Sequence, residues 1–257
     1  MNGLEIKKIF ETFFPKNLAY SWDNVGMQIG SLNKEVNAIL LALDLTLEVV
    51  EEAINSKVEL IIVHHPLIFS PLKAIDTDTY KGMLIEKLIK KGITLYVAHT
   101  NFDISNKGMN LILANMLNLK NQKILDYTTE NEGLGRIGDV EEMTMEEAIN
   151  FVKRTFNVEN ARFIGRMDKK VRKIAISGGS GSSNITNAFE HGADLYVSGD
   201  LSYHYALDIL GMGLNALDIG HNIEKFFVYE LKELLIDAGV TSKIIISSVN
   251  TEPYKFV

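Results

Sequence analysis

Apolar runs rich in β-branched residues alternate along most of the chain with amphipathic segments whose apolar residues lie three and four apart. The runs predict strands at 38–43, 60–63, 94–98, 173–177, 195–198, 215–219 and 243–248. The amphipathic segments predict helices at 47–54, 83–89, 109–117, 145–156 and 223–235. Repeated strand–loop–helix units are typical of α/β proteins with mainly parallel strands, and this is the fold class that we expect.

The middle of the chain departs from this pattern. Residues 130–139 are rich in Gly and Glu, and 168–172 form a charged turn, which favours a boundary near residue 125. We therefore predict two interlocked α/β lobes: 1–125, which carries His64, His65 and Asp103, and 126–219. Residues 220–257 are expected to return to the first lobe as a helix and a strand.

The amino-acid composition limits the classes of protein to which this chain can belong. The 257 residues are 46% hydrophobic and 23% charged, as in folded proteins, and no run reaches the roughly 18 apolar residues of a membrane span. The first residues lack the apolar stretch of a cleaved signal, so a cytoplasmic protein without membrane contact is expected. No cysteine is present, which excludes disulfides and thiolate metal sites, and a net charge of −7 disfavours nucleic acid as a partner.

Polar residues follow the predicted strands at their carboxyl ends. His64-His65-Pro66 follows one strand, His99 to Asp103 another, and Gly220-His221 a third; Gly178-Gly179 and Gly199-Asp200 are placed in the same way. Ligands of open α/β sheets bind at these ends, so we expect a site there, between the lobes.

Three histidines and two carboxylates in this set are candidate metal ligands. His64 and His65 can address one site if the chain turns after the strand. His221 and Glu224 are expected in the first turn of the last long helix, where the i, i+3 spacing places them on one face. Each has an ordinary alternative when taken alone: a hydrogen-bonded core histidine, a helix cap for Asp103, or a helix-dipole partner for Glu224. Together, these five ligands suit two divalent ions such as zinc, iron or manganese better than one closed zinc site. Five ligands for two ions also leave coordination positions for water.

Several blocks in order along the chain carry a family resemblance. They are SWDNVG at 21–26, VHHPLIF at 63–69, AHTNFD at 98–103, SGD at 198–200, DIGHNIE at 218–224 and VNT at 249–251. With these blocks the chain resembles the Nif-three-like family, whose members are also known as GTP cyclohydrolase I type 2 homologues. In some relatives the glutamate lies four residues after its histidine, whereas Glu224 lies three after His221. The chain resembles the short form, without the central insertion of some bacterial members.

The resemblance implies a dinuclear metal centre held by His64, His65, Asp103, His221 and Glu224, in a ring-shaped homohexamer. It also implies a metal-dependent hydrolase of the GTP cyclohydrolase type that uses an activated water on a small-molecule substrate, with a nucleotide as the candidate. The alternative is a non-catalytic hexamer that stores or delivers metal or serves as a scaffold.

Other residues each allow two interpretations. His99 is the candidate catalytic residue, as a proton carrier beside the metals, or a buried support for its loop. Residues 177–183, SGGSGSS, form a plain turn or an anion site, and Asp200 and His204 orient ligands or serve structure alone. Trp22 anchors the N-terminal segment or stacks on a ligand, and Lys73 is a candidate for a phosphate contact.

Overall fold

The computed structural model describes residues 1–255. In chain order its helices are α1 Gly3–Phe13, α2 Leu47–Asn55, α3 Tyr80–Lys91, α4 Thr100–Ile104, α5 Met109–Met116, α6 Met145–Phe156, α7 Ile185–Glu190, α8 Tyr203–Met212 and α9 Phe227–Asp237. The strands are β1 Gly26–Ile29, β2 Ala38–Ala42, β3 Leu60–Val63, β4 Thr94–Val97, β5 Lys120–Tyr127, β6 Gly133–Thr144, β7 Arg162–Ile164, β8 Lys170–Ser180, β9 Leu195–Gly199, β10 Ala216–Asp218 and β11 Lys243–Ile246. The expected α/β class is confirmed.

The chain divides into two compact units. The first comprises Met1–Phe102 and Phe227–Pro253, and the second comprises Asp103–Phe226 with the described residues from Tyr254 onward. The chain thus enters its second unit before the boundary expected near residue 125. The reason is that α5 packs on β6 and β8, while β5 pairs with β6, so residues from 103 onward share a core with the following strands.

The first unit is built on a five-stranded sheet in the order β1-β4-β3-β2-β11. Its strand pairings are parallel except for that of β1, which runs antiparallel to β4 at the edge. Every residue of β2, β3 and β4 is buried, as expected for parallel strands covered on both faces. The parallel arrangement brings the carboxyl ends of β3 and β4 to one edge of the sheet. Strand β1 was not predicted, because it is short and half exposed.

The second unit contains a six-stranded mixed sheet in the order β5-β6-β8-β9-β10-β7. The β8–β9 and β9–β10 pairings are parallel, and the other three are antiparallel. The strand β6 occupies the Gly-rich segment that the sequence favoured as a boundary. Its glycines permit close strand approach: a Cβ at Gly133 would lie 2.1 Å from the carbonyl oxygen of Asp126, and one at Gly138 would lie 2.7 Å from that of Lys120.

The C-terminal segment returns to the first unit, where β11 pairs with β2 and α9 packs on both strands. Glu52 on α2 holds the residues after β11: its carboxylate accepts hydrogen bonds from the Ser247 hydroxyl, and from the Ser248 amide at 2.9 Å and hydroxyl at 2.7 Å. Burial alone would raise the pKa of Glu52, but these hydrogen bonds outweigh it and hold the pKa below its ordinary value of 4.5.

We expect Glu52→Gln to lower the thermal unfolding midpoint at pH 7 by about 2–4 °C, because the hydrogen bonds to a charged acceptor are weakened. A carboxylate with a depressed folded-state pKa stabilises the protein above its unfolded-state pKa, and the contribution is lost as the pH falls through the folded-state value. The difference from the wild type should therefore shrink toward zero when the midpoint is measured from about pH 5 down to pH 3. Glu51→Gln, which removes a neighbouring carboxylate paired with Lys87, is the control. A difference that stays constant with pH would contradict the role given to Glu52.

Among residues 1–255, no helix is both long enough and apolar enough to cross a membrane.

Candidate functional site

The paired histidines lie where β3 ends. The amide groups of His64 and His65 both donate to the carbonyl oxygen of Leu43, each at 3.1 Å, so the chain has left the regular strand ladder at this point. Their ring centroids lie only 4.9 Å apart. Two adjacent side chains, which would point to opposite faces in a strand, are thus brought together by the turn before Pro66, as the sequence predicted.

His99 joins this pair from the end of β4. Each of His64, His65 and His99 offers a ring nitrogen, and the three nitrogens lie within 4.8 Å of one another. The His64 side chain is fully buried, whereas His99 keeps 17% of its side-chain surface exposed. The first unit therefore holds a cluster of three imidazoles, which we call the histidine cluster.

The Nδ1 atoms of the cluster all face oxygen acceptors. The Nδ1 of His64 lies 2.6 Å from the carbonyl oxygen of Ala98, that of His65 lies 2.6 Å from Asp44, and that of His99 lies 2.9 Å from both Asp23 oxygens. Because these oxygens accept, Nδ1 carries the proton in each neutral ring and the lone pair resides on Nε2. This is the arrangement in which protein histidines bind metals through Nε2.

Asp44 and Asp23 belong to the candidate site through their hydrogen bonds to His65 and His99, although the sequence analysis did not single them out. Asp44 follows the end of β2 and also accepts from the Thr251 hydroxyl at 2.5 Å, while Asp23 accepts from the amide and hydroxyl of Thr100. Burial alone would raise the pKa of each carboxyl, but hydrogen bonds, those from His65 and His99 foremost, hold both pKa values below the ordinary range. Their position after a strand end and inside the SWDNVG block was the available signal.

In the second unit, His221 and Glu224 follow β10. The expectation that they lie in the first turn of the last long helix was wrong: they belong to a separate 3-10 helix, His221–Phe226, which precedes α9. In a 3-10 helix residues i and i+3 are eclipsed, so the three-residue spacing still places both side chains together. The Nε2 of His221 lies 3.1 Å from a carboxylate oxygen of Glu224, which is only 3% exposed.

Asp200 orients His221 in the same way as the carboxylates of the first unit orient their histidines. Its Oδ2 lies 2.7 Å from the Nδ1 of His221. Asp200 has a φ of +51°, a left-handed conformation that non-glycine residues seldom adopt. Of the two interpretations of Asp200, the structure supports the orienting one.

The glycines at the end of β8 make room for the Glu224 carboxylate. A Cβ at Gly179 would lie 2.7 Å from its Oε1, and a Cβ at Gly178 would lie 3.1 Å from the same atom. Gly179 also has a φ of +57°. The segment expected to be a plain turn or an anion site is instead the last part of β8 followed by a 3-10 helix, Gly181–Asn184. The absence of a side chain at Gly178 and Gly179 allows the Glu224 carboxylate to approach this backbone closely.

Asp103 lies in α4 and does not cap α5, whose N-cap is Gly108 without a side-chain hydrogen bond. Its carbonyl oxygen accepts from the side chain of Asn110 at 2.9 Å, and the Asn110 amide oxygen accepts from the Gly178 amide at 3.0 Å. The buried Asn110, which sequence reasoning missed, thus links the Asp103 helix to the glycines beside Glu224.

Three of the remaining candidates, His204, Lys73 and Trp22, are exposed. His204 is exposed and contacts the neighbouring ring of Tyr203, and Lys73 is exposed in the segment between β3 and α3. Trp22 is 56% exposed, and its ring lies edge-on to that of His99, with centroids 6.3 Å apart. Asn101 supports the His99 loop, because its side chain accepts from the His99 amide and donates to the carbonyl oxygen of Phe14.

Comparisons with known proteins agree with the residue pattern. The family model for Duf34/NIF3 (NGG1p interacting factor 3) matches residues 1–253. A Clostridium perfringens protein named GTP cyclohydrolase 1 type 2 homolog is 40% identical over 260 residues, covering 98% of both chains. A Halalkalibacterium halodurans protein of the same name is 32% identical over an alignment of 368 positions, covering 100% of this chain and 99% of its own, so it contains residues that this shorter chain lacks. The crystal structure of a Bacillus cereus protein related to NIF3 superposes with a TM-score of 0.95 at 34% identity, covering 100% of this chain and 99% of that one.

Proposed function

Because this chain belongs to the DUF34/NIF3 family, we propose that it is a metal-dependent hydrolase with a dinuclear centre held by His64, His65, Asp103, His221 and Glu224. The observation that carries the proposal is the common orientation of the histidines. Carboxylate or carbonyl oxygens lie next to the Nδ1 atoms of His64, His65 and His221, so Nε2 is the ring nitrogen that would bind a metal ion in each. Such carboxylate–histidine pairs are characteristic of metal sites.

The donor atoms fit the proposed ions. Imidazole nitrogen and carboxylate oxygen suit zinc, iron and manganese. Two divalent ions bound by this set would lower the pKa of a water molecule toward neutrality and polarise the bond under attack. The protein's own contribution is to hold the rings and carboxylates in place before any ligand arrives.

His99 has the role of proton carrier in this proposal. Its Nδ1 is held by Asp23, whose lowered pKa keeps the carboxylate ionised, so a proton is exchanged at Nε2. The ring lies 5.3 Å from that of His64 and 5.9 Å from that of His65, centroid to centroid. It is thus placed beside two proposed ligands while retaining contact with solvent.

We expect His99→Gln to keep the wild-type metal content and to lower kcat by about 10²- to 10⁴-fold, the usual contribution of a general acid or base. Metal content is measured by elemental analysis, and kcat is measured on the metal-loaded protein. His204→Gln, which removes an exposed histidine outside the cluster, should leave both unchanged. A loss of metal in His99→Gln would instead make His99 a ligand.

GTP is the first substrate to test, since the relatives carry the name GTP cyclohydrolase 1 type 2 homolog. In the proposed reaction, the oxygen of a water molecule bonds to C8 of the guanine imidazole ring, the C8–N9 bond breaks, and the two water protons end on N7 and N9, which leaves a ring-opened formamide. The experiment challenges protein loaded with zinc, iron or manganese with GTP and a panel of phosphoesters, and follows product by chromatography. Metal binding without turnover of any compound in the panel would contradict the hydrolase and favour a role in metal storage, metal delivery or as a scaffold.

The homohexamer stays a prediction, to be measured by analytical ultracentrifugation.

A further inference from the structure

An exposed group of aromatic side chains lies beside the histidine cluster in the first unit. The rings of Tyr20 and Trp22 are stacked, with centroids 5.6 Å apart and an interplanar angle of 18°. Phe69 contacts Trp22 at 5.7 Å, and the His99 ring meets Trp22 edge-on at 6.3 Å. We call Trp22 and Phe69, with Tyr20 behind them, the aromatic platform.

Trp22 and Phe69 in the platform are open to solvent. Trp22 is 56% exposed and Phe69 is 50% exposed, although they are adjacent and both apolar. Single exposed aromatic residues need no explanation, and several occur elsewhere on this chain. Trp22 and Phe69 are instead in contact with each other and lie next to the histidine cluster. Covering this apolar surface with a ligand would be energetically favourable.

Hydrogen bonds connect the two residues that follow Trp22 to neighbouring segments. Asp23 accepts from the side chain of His99 and from Thr100. The Asn24 side chain donates to the carbonyl oxygen of Ile68 at 2.6 Å. These bonds join the Trp22 segment to the end of β4 and to the residue that precedes Phe69.

Gln28 on β1 strengthens the second connection. Its side-chain nitrogen donates to the Ile68 carbonyl oxygen at 3.0 Å, and its side-chain oxygen accepts from the Ile68 amide at 2.8 Å. The segments that carry Trp22 and Phe69 are thereby fixed to each other by these two hydrogen bonds and the one from Asn24. An aromatic surface held in place before binding loses little conformational entropy when a ligand covers it.

We propose that Trp22 and Phe69 bind a planar heteroaromatic ring of the purine-nucleoside type by stacking. Stacking on aromatic side chains is how proteins hold nucleobases without base-specific hydrogen bonds. A bare sugar is disfavoured, because sugars also require hydrogen bonds to their hydroxyl groups, and the nearby amides of Asn24 and Gln28 are engaged with Ile68. This assignment names the substrate class of the proposed site. The identification of the bound ring as part of a substrate rests on the proposed function. The stacking itself does not, because it requires no metal.

The test uses the intrinsic fluorescence of Trp22, the only tryptophan in the chain. Metal-free and metal-loaded protein are titrated with guanosine, adenosine and ribose, with excitation beyond the absorption of the purines. We expect saturable quenching by both nucleosides and none by ribose. Quenching by ribose, or no saturable response to either nucleoside, would overturn the proposal.

Variants provide the second measurement, by calorimetry or equilibrium dialysis with guanosine. Trp22→Ala should weaken binding about tenfold or more, and Phe69→Leu, which keeps the apolar volume and loses the π face, should also weaken it. Trp22→Phe should retain part of the affinity, and Tyr203→Ala, which removes an aromatic residue that is 74% exposed in the second unit, should have no effect. Equal affinity in Trp22→Ala and wild type would refute the platform.

Metal content is measured on the same samples, which separates the two proposals. Nucleoside binding by a protein that takes up no metal would leave the platform standing and remove the proposed hydrolase. Full metal occupancy without nucleoside binding would do the opposite.

Discussion

Glu224→Gln is expected to reduce the bound metal by about one ion per chain, or to weaken its binding by at least about 100-fold. Substitution of residues that only orient a ligand already costs roughly 10- to 100-fold in affinity, and a direct anionic donor should cost more. Glutamine keeps the size of the side chain and removes the negative charge, and the neutral imidazole of His221 cannot replace that charge. Calorimetric titration of the metal-free protein with zinc or manganese measures the effect. Added metal should also raise the thermal unfolding midpoint of the variant by less than it raises that of the wild type.

A helix-dipole role for Glu224 makes a different prediction. Such an interaction contributes about 0.3 to 1 kcal/mol to stability and would leave metal affinity unchanged. Glu230→Gln is the matched control, because Glu230 is an exposed acidic residue in the first turn of α9. Wild-type stoichiometry and affinity in Glu224→Gln would remove Glu224 from the ligand set.

Gly179→Ala is expected to impair metal binding as severely as Glu224→Gln, although residue 179 supplies no ligand. The new Cβ would lie 2.7 Å from Oε1 of Glu224 and 3.4 Å from Nε2 of His221. Because Glu224 is buried, its carboxylate can yield only by leaving the position that it shares with His221. The left-handed backbone of Gly179 adds a stability cost of about 1–2 kcal/mol.

Gly192→Ala separates the two effects of that substitution. Gly192 has a φ of +72°, and a Cβ added there would have no neighbouring atom within 4 Å. Alanine at this position therefore has the unfavourable left-handed backbone but no steric overlap with a neighbouring side chain. Both variants should therefore lose similar stability in chemical denaturation, while only Gly179→Ala loses metal affinity in the titration. Equal metal affinity in the two would show that the close approach to Glu224 has no effect on the ligand.

Local sequence patterns were sufficient for the buried strands. The apolar runs that became β2, β3 and β4 are buried along their whole length, so their hydrophobicity was visible without knowledge of the partners. The strand β6 could not be recognised in this way. Its glycines are typical of turns, and only the approach of β5 explains why they lie in a strand.

The same distinction applies to the candidate site. The amino-acid sequence by itself indicated candidate metal ligands, because imidazole and carboxylate groups after strand ends are a local pattern, and the rings of His64 and His65 do lie together. Only the tertiary structure decided how those rings are oriented. Asp44 and Asp23 lie 21 and 76 residues from the histidines that they hold. Gly179 likewise accommodates a glutamate from a distant helix. Contacts between residues far apart in the chain depend on how the elements pack, and no local pattern of hydrophobic and polar positions encodes that packing.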